Sequence, residues 1–327
     1  MKKYRWGIIG TGRIARLFAQ ALKGCENAVL YAVASRSGEK AAAFAGEFGF
    51  EKSYGSYGEL AQDGDIDIVY IATPMSSHFA DTMLCIENGR NVLCEKSIAL
   101  NCAQLDEMIA AAGSKGVFFM EAMWTKCRPT YLKALEWIKE GRIGKVKYVK
   151  ADFCNFMPYN RQDRTFIPEC GGGALLDLGV YPITFAAGIL GDEPDEIISF
   201  AHMENGVDMS NSITLKYGDS CAVLQSGFEV QNTNRALIAG EKGSIVFGDW
   251  FHCTSELWLY DKEYNELDRS VIHVLVNGYE YEALEAQRCL EAGLRESPLV
   301  PLSSTRAVMK IMDKCRQDWG LVYPDEM

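Results

Sequence analysis

A short glycine-containing segment near the start of the chain constrains the fold more than any other feature. Residues 4–18, YRWGIIGTGRIARLF, pass from an apolar run through a turn into a helical pattern. Gly10, Gly12 and Ala15 have the spacing G-x-G-x-x-A, which is typical of dinucleotide binding when it follows a strand and opens a helix. An ordinary glycine-rich turn is the alternative, but both flanking elements are present here. The residues expected beside the nucleotide are Gly10, Thr11, Gly12, Arg13 and Ile14.

The first third of the chain alternates apolar runs with helical patterns. Val29–Ala34, Asp67–Ala72 and Asn91–Glu95 are near-continuous apolar runs, as parallel strands buried on both faces require. A helix is predicted from the N-cap Asn101 to Ala112, with Gly113 at its end. This alternation predicts an α/β fold with a Rossmann, doubly wound parallel sheet, whose ligand lies at the carboxyl ends of the strands.

After Trp124 the pattern changes. A helix is predicted at Ala174–Leu190, with a kink or break at Pro182. Short strands with hairpin turns follow from Glu196, the last of them predicted at Val271–Val276, and two helices close the chain. We therefore predict a Rossmann dinucleotide-binding domain at residues 1–122. Residues 123–327 are predicted to form an α+β domain for substrate binding and oligomerisation, with an open, mostly antiparallel sheet.

Charge and cysteine usage exclude several classes of function. The 327 residues include 33 Lys plus Arg against 44 Asp plus Glu, a net charge of −11, so nucleic-acid binding is not expected. The sequence contains no run of eighteen or more apolar residues, so no membrane span is predicted. The 11 cysteines and 4 histidines lack C-x-x-C and H-x-x-x-H spacing, so no metal site or disulfide framework is expected. Scattered cysteines of this kind favour the reducing cytoplasm.

The end of the second strand indicates the type of nucleotide. An NAD-binding chain usually has Asp or Glu there to accept hydrogen bonds from the ribose 2′-hydroxyl. This chain has Ser35, Arg36 and Ser37 instead. Arg36 can pair with a 2′-phosphate, and the two serines can donate hydrogen bonds to it. NADP is therefore favoured, with NAD possible, and a solvated loop arginine is the alternative.

Three other strand ends carry polar or reactive residues. Thr73, Pro74 and His78 follow one strand, Glu95 and Lys96 end the next, and Trp124 follows the last. These ends meet at the carboxyl edge of a parallel sheet, so we expect them near the nicotinamide half of a cofactor. Lys96 is notable because a lysine at the end of a buried strand is costly unless it is paired or functional. His78 could equally be a polar residue at a helix N-terminus.

The second half contains a long loop and a polar helical face. The predicted loop Asn155–Gly173 carries Arg161 and Arg164, and loops of this length are often functional. In the helix that follows, Asp177 and Tyr181 lie one turn apart and share a face.

Several motifs together resemble those of one known family. They are GIIGTGRIA at the N-terminus, IATP at Ile71–Pro74, CEKS at Cys94–Ser97 and GGGALLDLGVYP at Gly171–Pro182. In this order they resemble the glucose–fructose oxidoreductase / inositol dehydrogenase / MocA (Gfo/Idh/MocA) family. EAMWTKCRP at Glu121–Pro129, together with Tyr181, is most similar to its dihydrodiol dehydrogenase branch. Where the family pattern is Glu-Lys-Pro, residue 97 here is Ser.

The resemblance implies a role for each matching residue. Gly10, Gly12 and Ala15 would hold the pyrophosphate, Arg36 the adenosine ribose, and Thr73 and Pro74 would line the cofactor. Glu95 and Lys96 would lie at the nicotinamide, Lys96 also reaching the substrate. Asp177 would contact the substrate and Tyr181 would be the acid/base. A free tyrosine has a pKa of ~10, which a nearby cation such as Lys96 lowers.

We therefore predict an NAD(P)-dependent oxidoreductase. It would transfer hydride between NADP and a small molecule, namely a sugar, a polyol, or a dihydrodiol-like alcohol or its carbonyl form. The resemblance further implies a homo-oligomer, most simply a dimer. One alternative is a non-catalytic protein that senses NADP or a sugar, and a second is an enzyme of the same fold that eliminates or hydrolyses with tightly held NAD.

Overall fold

The chain divides into two compact units. A computed structural model describes residues 2–324, with 2–127 and 274–302 in unit 1 and 128–273 and 303–324 in unit 2. This division differs from the predicted boundary after residue 122, because a later segment returns to unit 1. The ring of Tyr279 stacks on Trp124 at 4.1 Å, and Asn277 Nδ2 donates to the Leu17 carbonyl at 2.9 Å. The periodicity of a helix does not reveal which of two cores it joins.

Unit 1 is built on a sheet of six parallel strands. The strands are β1 (Tyr4–Ile9), β2 (Ala28–Ala34), β3 (Lys52–Tyr54), β4 (Ile68–Ile71), β5 (Asn91–Glu95) and β6 (Phe119–Ala122). Their order across the sheet is β3-β2-β1-β4-β5-β6, which confirms the predicted Rossmann topology. The three-residue strand β3 is too short and too polar for the sequence to indicate.

Helices flank this sheet along the chain. They are α1 (Arg13–Lys23), α2 (Gly38–Phe48), α3 (Tyr57–Gln62), α4 (His78–Glu87), α5 (Cys102–Lys115), α6 (Trp124–Cys127) and, in the later segment, α9 (Glu280–Glu291). Asn101 caps α5 as predicted, accepting the Gln104 N–H at 2.9 Å. The predicted end at Gly113 is wrong: α5 continues to Lys115, and Gly116, with φ +65°, has the left-handed conformation that ends a helix.

Stacked aromatic rings fill the core of unit 1 next to β1 and β4. Phe18 of α1 lies 3.6 Å from Tyr70 between ring centroids, and Trp6 meets Phe18 edge-on at 5.3 Å. All three rings are buried. Close packing of α1 on the sheet fixes where that helix begins, and thus where its N-terminal N–H groups point.

Unit 2 is built on an eight-stranded sheet. The strands are β7 (Val146–Cys154), β8 (Glu196–Glu204), β9 (Val207–Tyr217), β10 (Ser220–Gly227), β11 (Ala236–Gly240), β12 (Gly243–Phe247), β13 (Glu256–Asp261) and β14 (Glu266–Val271). Their order is β14-β13-β12-β11-β7-β10-β9-β8. β7 and β10 pair in parallel and the other described neighbours pair antiparallel, which confirms the mostly antiparallel sheet.

The predicted strand Val271–Val276 is wrong, because the last strand, β14, ends at Val271. A tight turn after β13 sets this register: Asp261 Oδ1 accepts the Asn265 N–H at 2.8 Å. Nearly all of β14 is exposed and polar, so it has no alternating pattern to predict it.

The helices of unit 2 are α7 (Pro129–Lys139), α8 (Val180–Leu190) and α10 (Leu302–Trp319). A π-helical turn at Leu175–Gly179 leads directly into α8. The predicted kink or break at Pro182 is therefore wrong, because the helix is irregular before this residue and not at it. Pro182 lies in the first turn of α8, where a missing N–H is tolerated. The stretch Pro168–Leu190 has the length and composition to cross a membrane, but 78% of its most apolar window is buried within the protein.

Candidate active site

The turn between β1 and α1 has the shape of a phosphate cradle. Gly10 has φ +105°, and a Cβ there would lie 2.6 Å from the Ala72 carbonyl oxygen. A Cβ at Gly12 would meet no atom within 4 Å, so the space in front of it is open. No side chain caps the N-terminus of α1, and its first turn has no acidic residue. The free N–H groups and helix dipole can therefore hold a diphosphate, which fits a dinucleotide. Thr11, Arg13 and Ile14 are exposed or half-buried beside this opening.

An exposed arginine follows the buried strand β2. Arg36 is exposed, whereas Ser35 is buried. Burial raises the pKa of Tyr57 and of Asp81, and in both cases the positive charge of Arg36 opposes the rise. Arg36 therefore faces Tyr57 and Asp81 across the end of β2. Ser37 caps α2, its Oγ accepting the Lys40 N–H at 3.3 Å, so its hydroxyl proton can still be donated.

His78 links the segments that follow β4 and β5. It is 2% exposed and is the first residue of α4. Its Nδ1 lies 2.8 Å from the Ser97 carbonyl oxygen and its Nε2 lies 3.0 Å from the Thr73 carbonyl oxygen. Both ring nitrogens thus face the backbone. Thr73 is half-buried and Pro74 is exposed at the same edge of the sheet.

Lys96 directly follows β5 and is half-buried. The carboxylate of Glu95 accepts the Lys96 backbone N–H on Oε2 at 3.1 Å and the Tyr70 hydroxyl on Oε1. The peptide bond between Lys96 and Ser97 is cis. The backbone at Lys96 is therefore held by a buried carboxylate that is itself held by the core.

Unit 1 also contains a buried carboxyl group that the sequence analysis missed. Glu282 of α9 is 0% exposed, and within residues 2–324 neither of its carboxyl oxygens has a hydrogen-bond partner. Burial, and then the negative charges of Glu95, Glu121 and Glu280, raise the pKa of Glu282 well above its usual range. Its surroundings therefore favour the neutral acid form of Glu282 over the carboxylate. The available signal was its helical spacing from apolar Ala286 and Cys289, which places it on the inner face of α9.

The ring of Trp124 is buried. Tyr279 lies parallel to it, at 6° between the ring planes. One face of the indole is thus covered from within unit 1.

No group of three or more His, Cys, Asp or Glu side chains among residues 2–324 is arranged to hold a metal ion.

Asp177 and Tyr181 belong to unit 2. Asp177 lies in the π-helical turn and is half-buried, and Tyr181 lies in the first turn of α8 and is 7% exposed. The Tyr181 ring centroid is 5.0 Å from that of His252 and 5.3 Å from that of Phe153. His252 in turn stacks on Phe153 at 4.2 Å. The phenol therefore lies in an aromatic group that no local sequence pattern predicts.

Trp250 extends this aromatic group to the surface. It is 38% exposed, and it meets Phe153 edge-on at 5.9 Å.

The two arginines of the loop at 155–173, Arg161 and Arg164, are both exposed, and Arg161 donates to Asn205 Oδ1 at 3.3 Å. The loop itself is anchored by the buried Thr165 and Phe166.

A Rossmann sheet with an open phosphate cradle defines the class of dinucleotide-binding proteins. Residues 4–123 match the family model described as "Oxidoreductase family, NAD-binding Rossmann fold", and residues 131–246 match the GFO/IDH/MocA C-terminal domain. The chain belongs to this Gfo/Idh/MocA family of NAD(P)-dependent oxidoreductases, which confirms the resemblance.

Relatives match over almost the whole chain. The trans-1,2-dihydrobenzene-1,2-diol dehydrogenase of Xenopus laevis is 37% identical over 332 residues, covering 98% of this chain and 99% of that protein. The human enzyme of the same name is 33% identical over 333 residues, with 98% of each chain covered. Among solved structures, the 3-ketoreductase KijD10 from Actinomadura kijaniata, in complex with NADP and TDP-benzene, is 25% identical. Its TM-score is 0.85, covering 97% of this chain and 98% of that chain.

Proposed function

We propose that this oxidoreductase interconverts a cyclic vicinal diol and its hydroxycarbonyl form, with NADP favoured over NAD. The aromatic group around Tyr181 is the observation that carries this proposal. A flat, unsaturated ring packs well against aromatic faces, and the full-length relatives named above are dihydrodiol dehydrogenases. Sugars and polyols are the competing substrate class, and the same assay tests them.

The cofactor would be held by unit 1. The cradle at Gly10 and Gly12, with the N-terminus of α1, would bind the pyrophosphate. Arg36, with the hydroxyls of Ser35 and Ser37, would bind the 2′-phosphate of NADP. The absence of an acidic residue from positions 35–37 removes the repulsion that such a residue would exert on that phosphate.

A dinucleotide held there would supply hydride transfer to or from the substrate carbon. The chain must then handle the proton of the reacting hydroxyl. We assign that task to the phenol of Tyr181, which takes the proton during oxidation and returns it during reduction. Lys96 would orient the substrate hydroxyl, and Asp177 would position the second hydroxyl of the diol.

A substrate panel tests the proposal. The purified protein is assayed with NADP and with NAD against trans-1,2-dihydrobenzene-1,2-diol, glucose and myo-inositol, by following the absorbance of the reduced nicotinamide. We expect the highest kcat/KM for the diol with NADP. Greater turnover of glucose or inositol would overturn the diol assignment. Cofactor binding without turnover of any of them would instead support the sensing alternative.

We also propose that two copies of the chain associate through the outer face of the eight-stranded sheet. One row of paired residues crosses seven strands on that face, and none of its members is buried. The row comprises Ile198, Thr214, Val223, Lys150, Leu237, Val246 and Trp258. Phe200, two residues from Ile198 on the same face, is 72% exposed. An exposed apolar face of this extent supports a partner surface, and two-fold pairing of identical faces is the simplest one.

The cysteine chemistry supports a reducing compartment such as the cytoplasm. All eleven cysteines are free. Burial raises the pKa of every cysteine with a resolved shift, for example Cys154 to about 11. Buried thiols with raised pKa values are inert hydrophobic side chains, which suits a protein that forms no disulfides.

A further inference from the structure

A buried line of polar side chains lies directly beneath the π-helical turn of unit 2. Asp208 begins it near the start of β9, where Oδ2 accepts the Leu175 N–H at 2.9 Å and the Asn211 Nδ2–H at 2.8 Å. Asn211 Oδ1 accepts the Ser226 hydroxyl at 2.9 Å. Asp208, Asn211 and Ser226, here called the polar strip, are 0%, 4% and 0% exposed.

The backbone of the turn touches the polar strip at both ends. Gly173, with φ +118°, precedes the turn, and a Cβ there would lie 2.4 Å from Asp208 Oδ1. Gly179 ends the turn, and a Cβ there would lie 2.9 Å from Ser226 Oγ. Two glycines thus allow the turn to sit directly on the polar strip. A π-helical turn is rare and needs such support from its surroundings.

The turn carries Asp177 and leads into Tyr181. Its first N–H, at Leu175, is bonded to Asp208 rather than to solvent. A shift of this hydrogen bond would therefore move the segment that presents both side chains. A misplacement of about 1 Å from a remote change can cost about a hundredfold in rate.

The surroundings of Asp208 make its charge sensitive to pH. Burial raises the pKa of Asp208 to about 7, opposed by the Asn211 and Leu175 donors and by the charge of Arg316. Arg316 and Cys315 face it from α10, and Arg316 also pairs with Asp313 at 3.0 Å. Nearby, the Tyr323 hydroxyl donates to the Gly172 carbonyl at 2.7 Å.

We propose that Asp208 is a positioning residue for the reaction, holding the π-helical turn so that Asp177 and Tyr181 face the substrate. This inference rests on the roles proposed above for those two residues. The ionised carboxylate forms charge-assisted hydrogen bonds to Leu175 and Asn211, which hold the turn more firmly than the neutral acid does. Turnover should accordingly gain a pH dependence from a group that touches neither substrate nor cofactor.

Asp208→Asn tests the proposal, because asparagine mimics the neutral acid and cannot ionise. At pH values above 7 we expect kcat to fall about ten- to a hundredfold, with KM changed less than about threefold and NADP affinity unchanged. The ratio of wild-type to variant kcat should rise as the pH passes through about 7. The control is Asp219→Asn, an exposed aspartate in the turn between β9 and β10 that pairs with Lys145 at 2.8 Å; the kcat ratio of this variant should not change with pH.

Hydrogen–deuterium exchange of the peptide covering residues 173–182 gives a readout that needs no substrate. At a pH above 7 we expect about tenfold faster exchange in Asp208→Asn than in the wild type, and no change in Asp219→Asn. A further outcome is that the wild type turns over no substrate while exchange is still faster in Asp208→Asn than in Asp219→Asn. In that case the proposed function fails, but the conclusion that Asp208 holds the π-helical turn stands. Wild-type exchange together with a wild-type kcat ratio at all pH values would overturn the inference.

Ser226→Ala provides a second variant if Asp208→Asn does not fold. It removes the donor to Asn211 at the far end of the polar strip and leaves the Asp208 carboxyl in place. We expect changes in exchange and kcat in the same direction but smaller, about threefold to tenfold, with the wild-type pH dependence retained. Unchanged exchange and unchanged kcat in Ser226→Ala would count against the proposal.

Discussion

The hydroxyl of Tyr70 on β4 donates a hydrogen bond to Oε1 of Glu95 on the neighbouring strand β5. The same tyrosine stacks on Phe18 of the helix that begins at the phosphate cradle. One side chain in the core therefore contacts the helix expected to bind phosphate and the carboxylate that holds the backbone of Lys96.

Removal of that hydroxyl should destabilise unit 1. Tyr70→Phe removes the Tyr70 hydrogen bond from a buried carboxylate, at an expected cost of about 1–3 kcal/mol in the free energy of unfolding, measured by urea denaturation. Tyr31→Phe is the matched control, because its hydroxyl bonds to the exposed Asp65 at 3.1 Å. The loss there should be below about 0.5 kcal/mol. Equal losses in the two variants would contradict the prediction.

Glu282 should make stability depend on pH. The folded state keeps this carboxyl protonated, while the unfolded state releases the proton above its ordinary value of 4.5. The folded state therefore binds more protons, and stability falls as pH rises above 4.5, by up to about 1.4 kcal/mol per pH unit. Glu282→Gln should remove this dependence of the free energy of unfolding on pH. Glu263→Gln, at an exposed residue, should leave the dependence unchanged. Denaturation across pH measures both, and an unchanged slope in Glu282→Gln is the contradicting result.

Arg36 should decide the choice of cofactor. Arg36→Ala removes a charge-assisted contact to the 2′-phosphate of NADP, which contributes about 1.5–3 kcal/mol, or about ten- to 150-fold in Kd. NAD affinity should change little. Arg5→Ala is the control, since Arg5 lies near the opposite end of β1 and pairs with Asp65 at 3.2 Å. Isothermal titration with both cofactors gives the answer, and an equal loss for NADP and NAD would rule out a 2′-phosphate contact.

Tyr181 and Lys96 should carry the proton chemistry. Tyr181→Phe and Lys96→Met should each lower kcat about 10²–10⁴-fold, because general acid/base help is lost. NADP affinity, measured in parallel, should stay near the wild-type value in Tyr181→Phe. Tyr264→Phe, at a tyrosine that is 67% exposed, serves as the control and should turn over normally.

Near-normal turnover in both variants, with cofactor still bound, would move the search to other residues. His78 would be tested first, followed by the loop residues Arg161 and Arg164. The contacts of His78 with two backbone carbonyls suggest that His78→Gln would lower stability as well as turnover. A loss of turnover alone would favour a direct role for the imidazole.

Phe200 should be needed for self-association. Phe200→Glu puts a charge on the most exposed large apolar residue of the outer sheet face, which an apolar interface tolerates poorly. We expect light scattering to report a dimer for the wild type and a monomer for the variant at micromolar concentration. Val322→Glu, at another exposed residue of unit 2, should remain dimeric. A monomeric wild type would refute the pairing.

The parts of the site that the sequence predicted are those set by local patterns. The Gly10–Ala15 spacing, the apolar strands and the Asn101 cap each depend on residues within one turn or one strand, so their physics can be read from neighbours along the chain. The outcome at Pro182 shows the limit of such reasoning. Its missing N–H was evident, but whether the helix would kink, break or widen depended on how the preceding turn packs.

The parts that the sequence missed depend on contacts between distant segments. Asp208 matters because the pairing of β9 with β10 puts Asn211 opposite Ser226, and because two glycines bring the π-helical turn down onto them. Glu282 matters because the fold brings its buried carboxyl within electrostatic reach of Glu95 and Glu121, which lie 282 − 95 = 187 and 282 − 121 = 161 residues earlier in the chain. No local pattern encodes which residues will be neighbours across that separation.

The return of residues 274–302 to unit 1 has a consequence for how this protein is made and engineered. A fragment that stops at residue 127 lacks Tyr279 to cover Trp124 and Asn277 to bond the Leu17 carbonyl. The nucleotide-binding half therefore cannot be completed until the ribosome has synthesised the entire second sheet. For the same reason, a chimera with a relative cannot be built by one crossover: it needs three junctions, after residues 127, 273 and 302.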